Sequence, residues 1–246
     1  AKADVRITLI DKRNFNLFQP LLYQVATGLV SRSDVATPLR ELVGTQDNVQ
    51  VLLGEVTAVN PEGKQIVFNG KAYSYDHLIL ATGSGSTYFG HEDWRTFAPP
   101  MKILEHAEEI RRRLLMAMEQ AEQTPNPEAR QFLQTVVIVG GGPTGCEMAG
   151  AVSELMRWAL NNAFKQLDSQ KTRIVLVDPG DRVLRAMPEE LSKEAQKALE
   201  LNGVEFIPQG RVQTMRPGEV VISSPGGDVR IQAATVIWTA GVKPSH

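Results

Sequence analysis

One cysteine, Cys146, stands among the 246 residues, so no disulfide can close within the chain and no redox-active cysteine pair is available. Such scarcity fits a reducing compartment. No apolar run reaches the ~18–20 residues of a membrane-spanning helix, and the start carries no signal-peptide pattern. Neither sign of charge is in excess: 26 Lys+Arg against 28 Asp+Glu leave a formal net charge of −2. A nucleic-acid partner, which needs a basic surface, is therefore not expected. The histidines His77, His91, His106 and His246 are scattered without metal-ligand spacing, and no metal is expected. The only notable run of like charge, Arg111-Arg112-Arg113, lies between Glu108-Glu109 and Leu114-Leu115 and reads as the wet side of an amphipathic helix.

What is present is an internal repeat. Arg6–Asp11 and Arg173–Asp178 are both mostly apolar runs rich in β-branched residues and ending in Asp. Leu78–Gly83 and Val236–Gly241 both read as buried strands ending in small residues and glycine. Before each lies a matching stretch broken by Pro/Gly turns: Gly54–Gly63 then Ile66–Phe68, and Gly210–Gly218 then Val220–Ile222. Each stretch predicts a small antiparallel meander. Three matched pairs in the same order imply two similar folds in tandem.

Between the copies, Ile103, Leu104, Ala107, Ile110, Leu114, Leu115 and Met118 recur at three- and four-residue steps, predicting a helix over 101–123 with one buried stripe. Pro99-Pro100 suits its start, and Thr124-Pro125-Asn126-Pro127 ends it. A second helix over 188–201 leads into a strand at Val204–Ile207. Helices alternating with buried strands predict α/β architecture with parallel sheets.

Thr135–Val139 is a continuous β-branched run that enters Gly140-Gly141-Gly142-Pro143-Thr144-Gly145 and then a helical stretch. Gly140, Gly142 and Gly145 form GxGxxG in the strand–turn–helix context a dinucleotide requires. Their roles are a tight turn, close backbone approach to a pyrophosphate, and close helix–strand packing, with the N–H groups opening the helix facing the phosphates. Asp178, closing the next strand, is placed to take the adenosine ribose hydroxyls. Its charge repels a 2′-phosphate and favours NAD(H) over NADP(H). The acid is 33 positions past Gly145, more than the usual ~20, and an extended helix with a polar end over Trp158–Lys171 accounts for the excess. Trp94 and Trp238 are expected in cores, and Cys146 as a buried core cysteine.

By the same repeat, the glycine loop belonging to Asp11 falls ahead of residue 1, and nothing after His246 completes the first fold. The chain is expected to be truncated at both ends. The expected fold class is α/β, two tandem Rossmann-like dinucleotide-binding folds, the first incomplete. The division is 1–100 as the partial first fold and 101–246 as the second with the start of the return to the first.

Two tandem folds with Ala81-Thr82-Gly83 at a strand end resemble the two-dinucleotide flavoprotein reductases. Within them, the run Asp11 to Gly28 and the wording Gly140–Glu147 resemble type II, non-pumping NADH:quinone dehydrogenases, over nearly the whole chain. The resemblance implies FAD and NAD(H) as cofactors, with hydride passing from NADH to flavin and electrons to a quinone. On that resemblance, 1–100 is a partial FAD-binding domain and 101–246 an NAD(H)-binding domain, both of the FAD/NAD(P)-binding type. It implies that Asp11 binds the FAD ribose and Val56 meets the adenine through its backbone. It places Ala81, Thr82 and Gly83 along the flavin crevice, Gln19 and Pro20 near the isoalloxazine, and Gly241 beside the nicotinamide nucleotide. Glu147 is implied near the nicotinamide–flavin contact, in proton handling or orientation; the other reading is a first-turn glutamate favoured by the helix dipole.

The FAD glycine loop, a later Gly-Asp flavin segment, a quinone-site helix and carboxy-terminal amphipathic helices, all features of that family, are absent from these residues. NADH and a quinone are the expected partners, and a homodimer is left open. The expected location is cytoplasmic, or the cytoplasmic face of a membrane reached through the absent carboxy-terminal region. Two alternatives stand: an NADH-dependent reductase of a protein electron carrier, or a catalytically silent NAD(H)-binding module.

Overall fold

The computed structural model describes residues 4–245. Ala1, Lys2 and Ala3, which lead into the first strand, and His246, one of the scattered histidines, lie outside the described residues. The chain divides into two compact units, one of Ala1–Phe18 and Ser31–Gly83, the other of Gln19–Val30 and Ser84–His246.

In the first unit, β1 (Ile7–Asp11) pairs in parallel with β2 (Val49–Leu53), Asp11 opposite Leu53. The expected meander follows as β3 (Val56–Asn60), β4 (Gln65–Phe68) and β5 (Lys71–Ser74), antiparallel throughout. Leu78–Gly83 departs from expectation. It lies outside every sheet, with Ile79 89% and Leu80 64% exposed. The residues have strand chemistry, but a strand needs a neighbour to satisfy its backbone. In the second unit the matching segment pairs with the strand that carries the glycine loop; in the first unit the parallel sheet holds β1 and β2 alone.

The second unit begins its main run with α1 (Leu104–Gln123), whose buried stripe includes Leu104, Ala107, Ile110, Leu114 and Met118. It starts later than the expected Met101. Pro99–Met101 instead extend along a strand edge: Trp238 N–H donates to Pro99 O (3.0 Å) and Met101 N–H to Trp238 O (3.2 Å). Leu115, expected on the buried stripe, is 38% exposed, because Leu114 already fills the inward position of that turn. Of the arginine triplet, Arg111 and Arg112 are exposed as expected. Arg113 turns inward and donates to Phe97 O (2.7 Å) and Thr96 O (3.0 Å). The Arg112 guanidinium, joined by Arg113, holds the Glu109 carboxyl down to about 2.

The Thr124–Pro127 breaker also starts a short helix that periodicity missed, α2 (Pro127–Leu133). Asn126 caps it, accepting from Glu128 N–H and Ala129 N–H, with Pro127 in the first turn. Next come β6 (Thr135–Val139), α3 (Pro143–Asn162), β7 (Arg173–Val177), α4 (Glu189–Leu201) and β8 (Val204–Ile207). A meander of β9 (Arg211–Arg216), β10 (Glu219–Ser224) and β11 (Gly227–Gln232) precedes β12 (Thr235–Trp238). The parallel sheet runs β8-β7-β6-β12. Every residue of β6 and β12 is buried, as a sheet covered on both faces requires. The α/β expectation is met.

The extended helix expected over Trp158–Lys171 is instead the end of α3 followed by a loop and a single 3₁₀ turn, Ser169–Lys171. The Glu122 carboxylate of α1 accepts the Lys165 and Gln166 N–H groups and so holds the chain in a non-helical path. Trp94 and Trp238 are 5% and 3% exposed, core residues as expected. They form one aromatic cluster with Tyr88, which stacks on Trp238 at 4.8 Å between centroids. Tyr88 Oη donates to Ala98 O (2.6 Å), and burial pushes its hydroxyl up to about 12.

A candidate dinucleotide site at the strand ends

The groups expected to meet NAD(H) gather at the carboxyl ends of three adjacent strands, where open α/β sheets bind ligands. The glycine loop leaves β6, Asp178 follows β7, and Thr239–Gly241 follow β12.

Each loop glycine has a distinct constraint. Gly140 has φ +113, and a Cβ there would approach Ala240 N to 2.8 Å. Gly145 lies in the first turn of α3, where a Cβ would run into the Gly140 carbonyl oxygen and come within 2.9 Å of Thr239 Oγ1. Gly142 is the opposite case: a Cβ there would meet nothing within 4 Å. The space in front of Gly142, the N-cap of α3, is thus open to a ligand approaching the helix terminus. Pro143 in the first turn is exposed and has no N–H, while Thr144 and Gly145 follow as the donors of that turn. The residues fit a pyrophosphate.

Asp178 is half-buried and shaped by the backbone around it. Its Oδ2 accepts from Gly141 N–H (2.6 Å) and its Oδ1 from Gly180 N–H (2.7 Å). Each carboxylate oxygen keeps acceptor capacity for a diol. Asp11 repeats the arrangement: Oδ1 accepts from Arg13 N–H (2.7 Å), two residues on, as Asp178 accepts from Gly180. Gly54 N–H donates to Asp11 O, and Gly210 N–H to Asp178 O, both at 2.9 Å. The repeat seen in the sequence therefore extends to individual hydrogen bonds.

Cys146, expected in the core, is only half-buried, its Sγ 3.5 Å from Gly141 O at the loop itself. Burial, then the Asp178 and Glu147 carboxylates, push its thiol up to about 11, which keeps it protonated and unreactive. Glu147 is the fifth residue of α3, beyond the first turn where a helix dipole acts most strongly. Its side chain is exposed at the surface but partly desolvated, and that desolvation raises its carboxyl above the ordinary value.

The remaining expected residues divide between the units. Asp11 ends β1 and Val56 opens β3. Ala81, Thr82 and Gly83 lie in the exposed segment described above, Gly83 with φ +72 and open space where a Cβ would be. Gln19 and Pro20 form an exposed 3₁₀ turn of the second unit, with Gln19 Nε2 3.4 Å from Lys102 O. Gly241 has φ +71.

Three participants escaped the sequence reading. Gly141 and Gly180 orient Asp178 through backbone N–H groups, and the Asp178-Pro179-Gly180 turn signature was a usable signal for the second. Thr239 Oγ1 donates towards Val139 O (2.8 Å) and Gly140 O (3.0 Å), tying the end of β12 to the loop. The repeat hid it, since alignment on the glycines sets Thr239 against Ala81.

The fold and this loop define a dinucleotide-binding α/β protein. Residues 1–246 match the sequence profile described as pyridine nucleotide-disulphide oxidoreductase, and the chain belongs to that family. It is 44% identical over 250 residues to the type II NADH:quinone oxidoreductase Ndh of Mycobacterium tuberculosis, with 100% of this chain and 54% of that protein covered. It is 40% identical over 249 residues to NdhA of the same organism, covering 99% of this chain and 53% of that one. The chain thus spans about half the length of the curated relatives it matches. Among solved structures, NDH2 from Plasmodium falciparum in complex with NADH has a TM-score of 0.90 at 22% identity, over 98% of this chain and 51% of that one. At that identity the likeness shows the fold.

Proposed function

We propose that the protein is a type II NADH:quinone oxidoreductase, taking hydride from NADH and passing electrons to a quinone. The observation that carries the reading is the Gly142–Asp178 geometry: an open helix terminus beside a carboxylate already oriented by two backbone donors. The names of the curated relatives supply the quinone as acceptor.

In this reading the α3 N-terminus binds the pyrophosphate, and Asp178 takes the adenosine ribose hydroxyls. A phosphate on that ribose would sit against the Asp178 charge, so NADH is the donor rather than NADPH. FAD would be held by Asp11, Val56 and Ala81–Gly83 and would supply the two-electron acceptor. Asp11 fits its part, its carboxylate accepting from the N–H two residues on as that of Asp178 does. The flavin side is proposed to lie within residues 1–100 and the nicotinamide side over 101–246, with Gln19–Val30 and Ser84–Pro100 grouped by compactness with the latter. A location on the cytoplasmic face of a membrane, as a peripheral protein, and a homodimeric state belong to the same proposal. Among the described residues no helix is long and apolar enough to cross a membrane.

The test is steady-state oxidation of NADH by the purified, flavin-loaded protein with a quinone or with a small iron–sulfur protein as acceptor. Turnover with the quinone is expected. Turnover with the protein carrier alone would favour the carrier-reductase alternative, and NADH binding without turnover the silent module.

Glu147 is proposed to hold a proton near the reacting rings, partial desolvation raising its carboxyl above the ordinary value. Glu147→Gln is expected to lower kcat for quinone reduction by roughly tenfold or more, with the KM for NADH little changed. Unchanged quinone-reduction kinetics would sink the role.

A further inference from the structure

Strand order dictates how a dinucleotide lies across the second unit. Asp178 follows β7, the glycine loop follows β6 and Gly241 follows β12, in a sheet ordered β8-β7-β6-β12. With the adenosine ribose at Asp178 and the pyrophosphate at Gly142, the nicotinamide half continues over the carboxyl end of β12.

Phe89 stands at that end. Its Cζ and Cε2 lie 2.5 and 2.9 Å from where a Cβ on Gly241 would be. Its ring centroid is 6.4 Å from that of Trp238, the last residue of β12. The turn that carries it is anchored to the strand: Trp238 Nε1 donates to Thr87 O (2.9 Å), and Phe89 N–H donates to Thr87 Oγ1 (3.2 Å). Yet Phe89 is 67% exposed and has φ +54, the only aromatic residue among the described left-handed non-glycine positions. An exposed ring contributes little to the core, and a bulky residue in the left-handed region costs stability. Both features oppose stability, and strain of this kind collects at ligand clamps.

We propose that Phe89 is the wall of the nicotinamide subsite, an exposed aromatic face that stacks on the flat nicotinamide ring and fixes its orientation. The proposal rests on the dinucleotide reading above and deepens it. It also accounts for Gly241: any side chain there would displace the Phe89 ring. The ring belongs to the nicotinamide half alone, because the adenosine and pyrophosphate contacts lie on β7 and β6. ADP-ribose, which carries those contacts without the nicotinamide ring, is therefore the matched control.

The test measures Kd for NADH and for ADP-ribose with the protein and with Phe89→Gly and Phe89→Tyr, together with thermal midpoints. Phe89→Gly removes the ring and suits the backbone to glycine. It is expected to weaken NADH roughly tenfold, the scale of one aromatic stack, to leave ADP-ribose within about twofold, and to keep or raise the midpoint. Phe89→Tyr is expected to retain NADH affinity. Equal loss of both ligands in Phe89→Gly, or loss of neither, overturns the wall. A lowered midpoint with unchanged affinities overturns it too, by making Phe89 a structural residue. Binding of neither ligand by the unaltered protein overturns the dinucleotide reading itself.

Discussion

Gly142→Ala is expected to lose NADH affinity by at least roughly tenfold while leaving the thermal midpoint unchanged, and Gly145→Val to lose both. The two positions are three residues apart in one loop, yet a methyl group meets opposite surroundings at each. At Gly142 the added carbon has nothing within 4 Å, so the folded protein accepts it. It then occupies the space through which a pyrophosphate must approach the α3 terminus. At Gly145 the first carbon already collides with the Gly140 carbonyl oxygen, and Thr239 Oγ1 closes the other side at 2.9 Å. Helix α3 must lift away from β6 and β12 to admit a valine. Overpacking of a closely packed site costs about 1–3 kcal/mol, and the lifted helix carries its phosphate-facing donors out of place. Fluorescence titration with NADH and denaturant unfolding on both variants separate the outcomes. An unfolding midpoint for Gly145→Val equal to that of the unaltered protein would contradict the packing account.

Trp238→Ala is expected to be the most destabilising single change in the second unit, by about 3–5 kcal/mol. The indole is 3% exposed, stacks on Tyr88, meets Trp94 edge-on and donates to Thr87 O at 2.9 Å. Truncation opens a cavity bounded by aromatic faces that cannot collapse into it. It also leaves the Thr87 carbonyl without its donor. Trp238→Phe keeps a ring but not the N–H, and a smaller loss is expected. Urea unfolding followed by circular dichroism measures both, and a loss below about 1 kcal/mol for the alanine variant would remove Trp238 from the centre of this core.

The second unit was more legible in the sequence than the first. β6 announced itself as an unbroken β-branched run and β7 as a mostly apolar one, and the glycine loop between β6 and α3 has a spacing that few other structures demand. Local signals sufficed because each element finds its neighbours within the chain. The α1 start was misplaced because Pro99–Met101 spend their backbone on β12, a long-range pairing that no local period encodes. Leu78–Gly83 was misread for the converse reason: its composition is that of a buried strand, but burial and pairing depend on a neighbour that composition does not supply. At the site, Asp178 and the three glycines were found by pattern. The Thr239 hydroxyl, the Gly141 N–H and the left-handed Phe89 were not, since each acts through geometry rather than through residue type. Cys146 shows the limit of residue type most directly, expected in a core and found against the loop at Gly141.

The exposed Ile79–Leu80 stretch also bears on how copies of the 246-residue chain meet one another. Ile79 and Leu80 present apolar side chains to water from backbone that belongs to no sheet. A segment of that kind is a template: a strand of matching hydrophobicity can take both its side chains and its peptide groups out of solvent at once. In the 246-residue chain, which spans about half the length of its curated relatives, Ile79 and Leu80 thereby add an adhesive edge to other exposed apolar side chains, Leu201, Phe89 and Trp158 among them.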